Sequence, residues 1–384
     1  MHKYRLMVPG PTPIPPEILA AGALPIVDER TPEFATMFRQ VTENLQRIFL
    51  TENDVFMYTA SGTGALEGAI QNLFSPGDRV LVVNNGFFGS RWVELCQAFG
   101  LKVTELTYQW GQKADNNEIA EMLVADPQLK AAICVLSETS TGTVNDVRGF
   151  GQAAQSAISV IDAVSGLGAC ELRTDEWGLD VVITASQKAL MLPPGLGFVS
   201  VSERAWQAHQ TARLPRYYFD WTAASKAYDQ ELSRTPWTPA IQLIVQLDIA
   251  LRRIIDEGLE NVFRRHMLLG RATREGIKGM GLNLFGPDDD TSAAVTAAWV
   301  PDGIDGKQLV RLLLLDYGIQ VANGQGTMEG KMFRIGHCGY FDALDIVSTI
   351  AATELVLESL GYSIELGTGV SATQRVFSKG RVTL

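Results

Sequence analysis

Cysteine and histidine are scarce in this 384-residue chain, with four of each. Cys96, Cys134, Cys170 and Cys338 lie far apart, without C-x-x-C spacing and without a histidine cluster nearby. That excludes a disulfide framework and any common metal-ligand pattern, and no metal site is expected. Scattered cysteines of this kind behave as small buried apolar residues in a reducing compartment. Basic residues are outnumbered, 32 Lys and Arg against 43 Asp and Glu, a net charge of −11. No Lys/Arg cluster stands out, which argues against a nucleic-acid or anionic-membrane partner but leaves room for a local basic pocket. No apolar run reaches the length of a membrane helix. The opening MHKYRLMVPGP lacks the apolar segment of a signal peptide, and the closing RVTL is not one of the common address tripeptides. The expectation is a soluble cytoplasmic protein.

What is present is a chain 46% hydrophobic, enough for a large core and two or three domains. The proline-dense VPGPTPIPP can be neither regular helix nor central strand and reads as an extended arm. From about residue 55, apolar runs at 78–84, 101–106, 131–137, 157–164, 179–184 and 197–202 alternate with helix-like segments such as GALEGAIQNLF and SRWVELCQAF. Continuous apolar strands alternating with helices predict a mostly parallel α/β sheet covered on both faces. Residues 238–280 read as two long helices broken at Gly258, followed by short strands and helices of a smaller α+β domain. The expected division is an arm at 1–21, a large domain at 22–256 and a small domain at 257–384. The last segment, from Ser363, is polar and rich in Gly, Ser and Thr, and is expected to be loosely ordered.

Three features fall at expected strand ends, where open α/β sheets bind ligands. Ser61-Gly62-Thr63-Gly64 precedes an amphipathic run. It is either an ordinary turn or a phosphate cradle of backbone N–H groups at a helix start. Asp162 closes the apolar run AISVID and is either a capping aspartate or a buried carboxylate awaiting a cation. Lys188 sits inside VVITASQKALMLPPG. It either extends to solvent or keeps a desolvated amine for attack on a carbonyl. Together, phosphate cradle, carboxylate and lysine match the needs of pyridoxal 5′-phosphate: an anchor, a partner for the pyridine nitrogen, and an amine that holds the aldehyde as a Schiff base.

The motifs ASGTGALE, SETSTGTVND, IDAVSGLGA, SQKALMLPPG, TPWTPAI and FRIGHCG, in this order along the chain, resemble the class V aminotransferases of pyridoxal-phosphate fold type I. Among these, the alanine–glyoxylate and serine–glyoxylate branch is the nearest. The resemblance runs from the proline-rich arm to about residue 360. It implies a homodimeric transaminase using pyridoxal 5′-phosphate, with alanine or serine as donor and glyoxylate as acceptor.

Residue by residue, the resemblance gives Lys188 the Schiff base and Asp162 the pyridine nitrogen. Ser61, Gly62, Thr63 and Gln187 take the phosphate, and Thr139 takes the ring hydroxyl. Phe88 stands where the family commonly has a stacking Trp. Thr235 and Thr238 match a segment that reaches the neighbouring subunit's phosphate, although the family commonly has a tyrosine near the first of them. Arg334 matches the arginine that grips the substrate carboxylate, and its planar fork suits that task. No second arginine for a side-chain carboxylate is evident, which favours monocarboxylates. Within the fold, a cysteine desulfurase-like lyase is the rival. It needs a cysteine in the loop before Arg334, where this chain has VANGQGTMEGK. A non-catalytic subunit with a hydrogenase-type label is the other alternative, and it would call for metal or cluster ligands that the cysteine spacing does not offer.

Overall fold

The computed structural model describes residues 3–289 and 291–380. The chain begins with β1 (Arg5–Leu6), α1 (Pro16–Ala21), α2 (Pro32–Phe49), β2 (Asp54–Thr59), α3 (Gly62–Leu73), β3 (Arg79–Asn84), α4 (Phe87–Ala98), β4 (Lys102–Thr107) and α5 (Asn116–Ala125). Then come β5 (Leu129–Val135), β6 (Ser137–Glu138), β7 (Thr143–Val144), α6 (Val147–Ala153), β8 (Ile158–Asp162), β9 (Val181–Ala185), β10 (Leu196–Val201), α7 (Glu203–Thr211) and α8 (Trp221–Tyr228). The remainder is α9 (Ile241–Glu257), α10 (Leu259–Gly279), β11 (Val295–Trp299), α11 (Gly306–Tyr317), β12 (Ile319–Gln320), β13 (Ala322–Asn323), β14 (Met332–Gly336), α12 (Ala343–Ser359) and α13 (Thr368–Lys379).

Seven strands form the main sheet in the order β2-β10-β9-β8-β5-β3-β4, with only β10 running against its neighbours. This is the α/β architecture expected from the apolar runs. Alternate residues of each strand enter opposite layers. Val55 and Met57 join the core under α2 and α9, whereas Phe56 and Tyr58 join the core under α3, α4 and α8. Because both faces are covered, β9 is buried along its whole length, which is why its sequence shows no polar alternation. α2 starts where Thr31 accepts from the Phe34 amide at 3.3 Å and Pro32 occupies the first turn. Its Phe38 is fully buried, so truncation to alanine is expected to cost about 3–5 kcal/mol.

The chain reverses direction across the sheet between β3 and β5. β4 lies on one side of β3, and the strands that follow build outward on the other. A crevice opens there at the carboxyl ends of the parallel strands. A second sheet, β11-β14-β13, is antiparallel and places β14 in its centre. The proline-rich arm bridges the two sheets. β1 pairs with β12, the Gly336 amide donates to Met7 at 2.7 Å, and the Thr12 amide donates to the Gln187 carbonyl at 3.1 Å. Its last residues are helical rather than extended, forming α1.

The described part of the C-terminal segment departs from expectation, and its last four residues lie outside the described residues. It folds as α13 and packs on α10. The Glu354 carboxylate accepts from the amides of Gly367 (2.8 Å) and Gly369 (2.6 Å), holding the start of the helix. Gly369 and Ala372 face Gly279 so closely that a side chain on Gly279 would meet both within about 3 Å. The small residues that suggested looseness are the packing surface.

Candidate active site

Each feature singled out at a strand end arrives at the same crevice. β9 ends at Ala185, and the turn after it carries Gln187 and Lys188. The Lys188 amine is buried and donates to the Pro9 carbonyl at 2.8 Å, while its own carbonyl accepts from the Thr12 hydroxyl at 2.8 Å. Burial pulls the Lys188 pKa below the usual lysine range. β8 ends at Asp162, which is 4% exposed. One of its oxygens accepts from the Val164 amide at 3.0 Å and the other from the Trp92 indole at 3.1 Å. Burial raises the Asp162 pKa, and these two bonds and the Arg91 charge oppose it.

α3 begins beyond β2, where the Ser61 hydroxyl caps it by accepting from the Gly64 amide at 3.4 Å, and the Gly62 and Thr63 amides have no partner within the helix. Gly62 fits there because any side chain would press on Val164 and Ala185 at 3.1 and 3.2 Å. Ser61, Gly62 and Thr63, Phe88, Thr139, Asp162, Gln187 and Lys188 line one cavity. Thr139 donates its hydroxyl to Ser165 at 2.6 Å. The cavity also takes in Ser137, Ser165 and Arg91, which sequence reasoning did not single out.

α4 and the turn after β5 are held together by one buried carboxylate. Glu138 accepts from the Phe88 and Gly89 amides at 3.0 and 3.1 Å and from the Ser140 hydroxyl at 2.6 Å. This fixes the Phe88 ring, over which the Arg91 guanidinium lies at 4.8 Å. The sequence signal for Glu138 was its place in the polar run SETST directly after a buried strand. The signal for Trp92 was its position four residues past Phe88, on the same helix face.

Arg334 comes from the second sheet, in the middle of β14, and is 6% exposed. Its Nη1 donates to the Thr139 carbonyl at 2.9 Å, which ties it to the cavity wall. Burial lowers its pKa to about 10, opposed by the Glu138 charge, so it remains a cation at neutral pH. Thr235 and Thr238 are not brought to the Lys188 cavity of their own chain. They line a small separate pocket with Thr59, Tyr218 and Trp237, and Thr235 donates to the Trp237 carbonyl at 2.6 Å.

The donor set fits pyridoxal 5′-phosphate. Two buried polar atoms on the cavity wall, Gln187 Oε1 and Ser137 Oγ, have no hydrogen-bond partner among the described residues. Buried polar groups are seldom left so, and a polar ligand would satisfy them. A phosphate suits the open amides of α3, a cationic ring nitrogen suits Asp162, and an aldehyde suits a desolvated amine. Among the described residues no group of three or more His, Cys, Asp and Glu side chains is placed to hold a metal ion.

Residues 20–343 match the family Aminotransferase class-V. The chain is 45% identical to the soluble hydrogenase 42 kDa subunit of Anabaena cylindrica, covering 98% of this chain and 99% of that one. It is 38% identical to the L-aspartate–glyoxylate aminotransferase of Paracoccus denitrificans, covering 96% and 95%. Among solved structures, an alanine–glyoxylate aminotransferase from Nostoc sp. superposes with a TM-score of 0.88 at 30% identity, covering 93% and 96%.

Proposed function

Because this chain belongs to the aminotransferase class-V family and takes pyridoxal 5′-phosphate as its cofactor, we propose that it moves an amino group from alanine or serine to glyoxylate. The observation that carries the reading is the buried Lys188 amine opening with Asp162 on one cavity headed by the start of α3. The bound cofactor supplies an aldehyde for the amine and a ring that withdraws electrons from the substrate's α-carbon. Lys188 would hold that aldehyde through its amine. The same amine, its pKa lowered by burial, would serve as the base and acid that moves the substrate's α-proton. Asp162 keeps the pyridine nitrogen protonated by charge pairing. Ser61, Gly62, Thr63 and Gln187 bind the phosphate, Thr139 the ring hydroxyl, and Phe88 stacks on the ring. Arg334 orients both substrates by the α-carboxylate they share.

Arg334 is the one arginine in the small-domain strand, which favours monocarboxylic donors. Arg91 qualifies this. It lines the cavity from α4, beside Phe88 rather than beside Arg334. The loop from Ala322 to Lys331 carries no cysteine, which speaks against the desulfurase rival. The deciding experiment measures glycine formed from glyoxylate with alanine, serine, aspartate or glutamate as donor, and sulfide from cysteine. Alanine or serine should be fastest. Faster turnover with aspartate or glutamate would replace the small-donor reading, and sulfide release would move the chain to the lyases.

We also propose a homodimer. Tyr217, stacked on Trp237, is 77% exposed, and Ile26 is 71% exposed. Large apolar groups so exposed suit burial against a second copy. Thr235 and Thr238 share a pocket with Trp237 and would serve the neighbouring subunit's phosphate. The three-part division of the chain at about residues 21 and 256 remains the proposed domain organisation. The acidic charge supports a cytoplasmic enzyme without a nucleic-acid or membrane partner, and no helix among the described residues is long and apolar enough to cross a membrane.

A further inference from the structure

Arg334 spends four of its five guanidinium hydrogens inside the protein. Nε and Nη2 both donate to the Asn323 carbonyl, at 3.0 and 2.8 Å. The two hydrogens of Nη1 go to the Thr139 carbonyl at 2.9 Å and to Gln325 Oε1 at 3.1 Å. One Nη2 hydrogen has no partner among the described residues. A carboxylate bound in fork geometry needs two parallel N–H groups. The Nε–Nη2 edge is filled by Asn323, so the remaining edge is Nη1–Nη2, where one donor is open and the other is engaged.

Of the two acceptors on Nη1, only one can yield. Thr139 offers a main-chain carbonyl within a buried turn, in a residue whose hydroxyl is also bonded. Gln325 is half-buried and reaches Arg334 by a flexible side chain from a surface loop. That loop is closed at its base, where Asn323 Oδ1 accepts from the Gly324 and Gly330 amides at 2.8 and 2.9 Å. At its tip, a side chain added to Gly326 would touch Trp110 and Phe87 at 3.8 and 3.9 Å. Gln325 therefore sits on a fixed loop that spans from the second sheet to the wall of the main site.

We propose, resting on the reading of Arg334 as the carboxylate seat, that Gln325 is a specificity-determining gate whose amide oxygen keeps the place of the substrate carboxylate on Nη1 until a substrate displaces it. A neutral amide oxygen satisfies the buried cation in the absence of substrate, yet a carboxylate outcompetes it because it pairs charge with charge and can take two N–H groups where the amide oxygen takes one. Both half-reactions meet the same gate, since amino acid and oxo acid share the α-carboxylate. Gln325 thus tunes the apparent affinity for both substrates together.

The test is the KM for alanine and for glyoxylate in Gln325→Ala and Gln325→Glu, with the inhibition constant of unreactive propionate and a thermal melt for each variant. Gln325→Ala removes the competitor and should lower both KM values and the propionate constant by one common factor, roughly threefold to tenfold. Gln325→Glu puts a permanent carboxylate on Arg334 and should raise all three. A loop residue with a merely structural role would change the melt and leave the two variants on the same side of wild type. Unchanged or higher KM values in Gln325→Ala would overturn the gate, since they would mean that the amide is absent from that edge or binds the substrate itself. Arg334→Lys is the control for the underlying reading. If it leaves both KM values unchanged, the carboxylate seat is wrong. If it raises them while Gln325→Ala does not lower them, only the gate is wrong.

Discussion

The Lys188 amine donates to the main-chain carbonyl of Pro9 at 2.8 Å, although the two residues are 179 positions apart in sequence. The proline-rich arm thereby touches the lysine of the candidate site. It supplies the acceptor for a buried amine.

Gly10 follows from this contact. It has φ +142°, and a Cβ there would fall inside van der Waals contact of the Lys188 side chain, Nζ included. Gly10→Ala should displace the lysine and cut the rate of transamination by about 10² or more, as misplacement by about 1 Å does elsewhere. The measurement is a single-turnover rate with alanine, together with the absorbance of the lysine-bound cofactor. An unchanged rate and spectrum would show that the arm does not define the lysine's position.

Trp92 acts through Asp162. Its indole N–H donates to the buried carboxylate and favours the ionised form. Trp92→Phe keeps most of the volume and removes the donor. A hydrogen bond to a charged group is worth about 1.5–3 kcal/mol, so cofactor affinity should fall by roughly tenfold or more. The Asp162 pKa should rise further, moving the acidic limb of the pH profile for cofactor binding upward. Titration of cofactor binding from pH 5 to 8 in both proteins checks the shift. Superimposable profiles would confine Trp92 to packing.

Two buried histidines predict a pH dependence of stability. Burial lowers the pKa of His266 and brings that of His337 to about 3. His266 accepts from the Gly339 amide at 2.8 Å, and His337 bonds the Thr296 hydroxyl at 2.9 Å. Their folded pKa values lie below the unfolded value of about 6.5, so above that pH neither contributes a slope. As pH falls below it, the unfolded chain binds protons that the folded chain refuses, and each histidine removes about 1.4 kcal/mol of stability per pH unit. The raised carboxyl groups of Asp162 and Glu138 tilt the opposite way, so the isolating comparison is wild type against His337→Gln. Urea melts at pH 7 and pH 5 should show the variant losing less stability on acidification, by about 2 kcal/mol. Equal losses would mean that His337 is protonated in the fold.

Much of this was legible in the sequence for a simple reason. Strands buried on both faces must be apolar throughout, and β3, β5, β8 and β9 stand out as such runs. A charged residue at the end of one of them or in the turn beyond it, as with Asp162 and Lys188, then lies at the sheet edge where open α/β folds bind ligands. β14 and its arginine were marked by the motif FRIG. What was not legible depends on contacts between distant segments. Trp92 reads as a core aromatic until Asp162 is placed beside it, and Pro9 reads as a turn former until its carbonyl meets Lys188. Glu138 looked like one polar residue in a polar run, whereas it ties α4 to the turn after β5. In α13, Gly369 and Ala372 gave the composition of a loose tail, because close helix packing and flexibility both call for small residues.

The central claim is that Lys188 is the amine that holds the cofactor. Purified protein should be yellow from lysine-bound pyridoxal phosphate, and borohydride should fix the link permanently. Peptide mass mapping of the reduced protein should then place the added mass on the peptide that contains Lys188. Label on a different lysine, or no label on protein that binds the cofactor, would contradict the account.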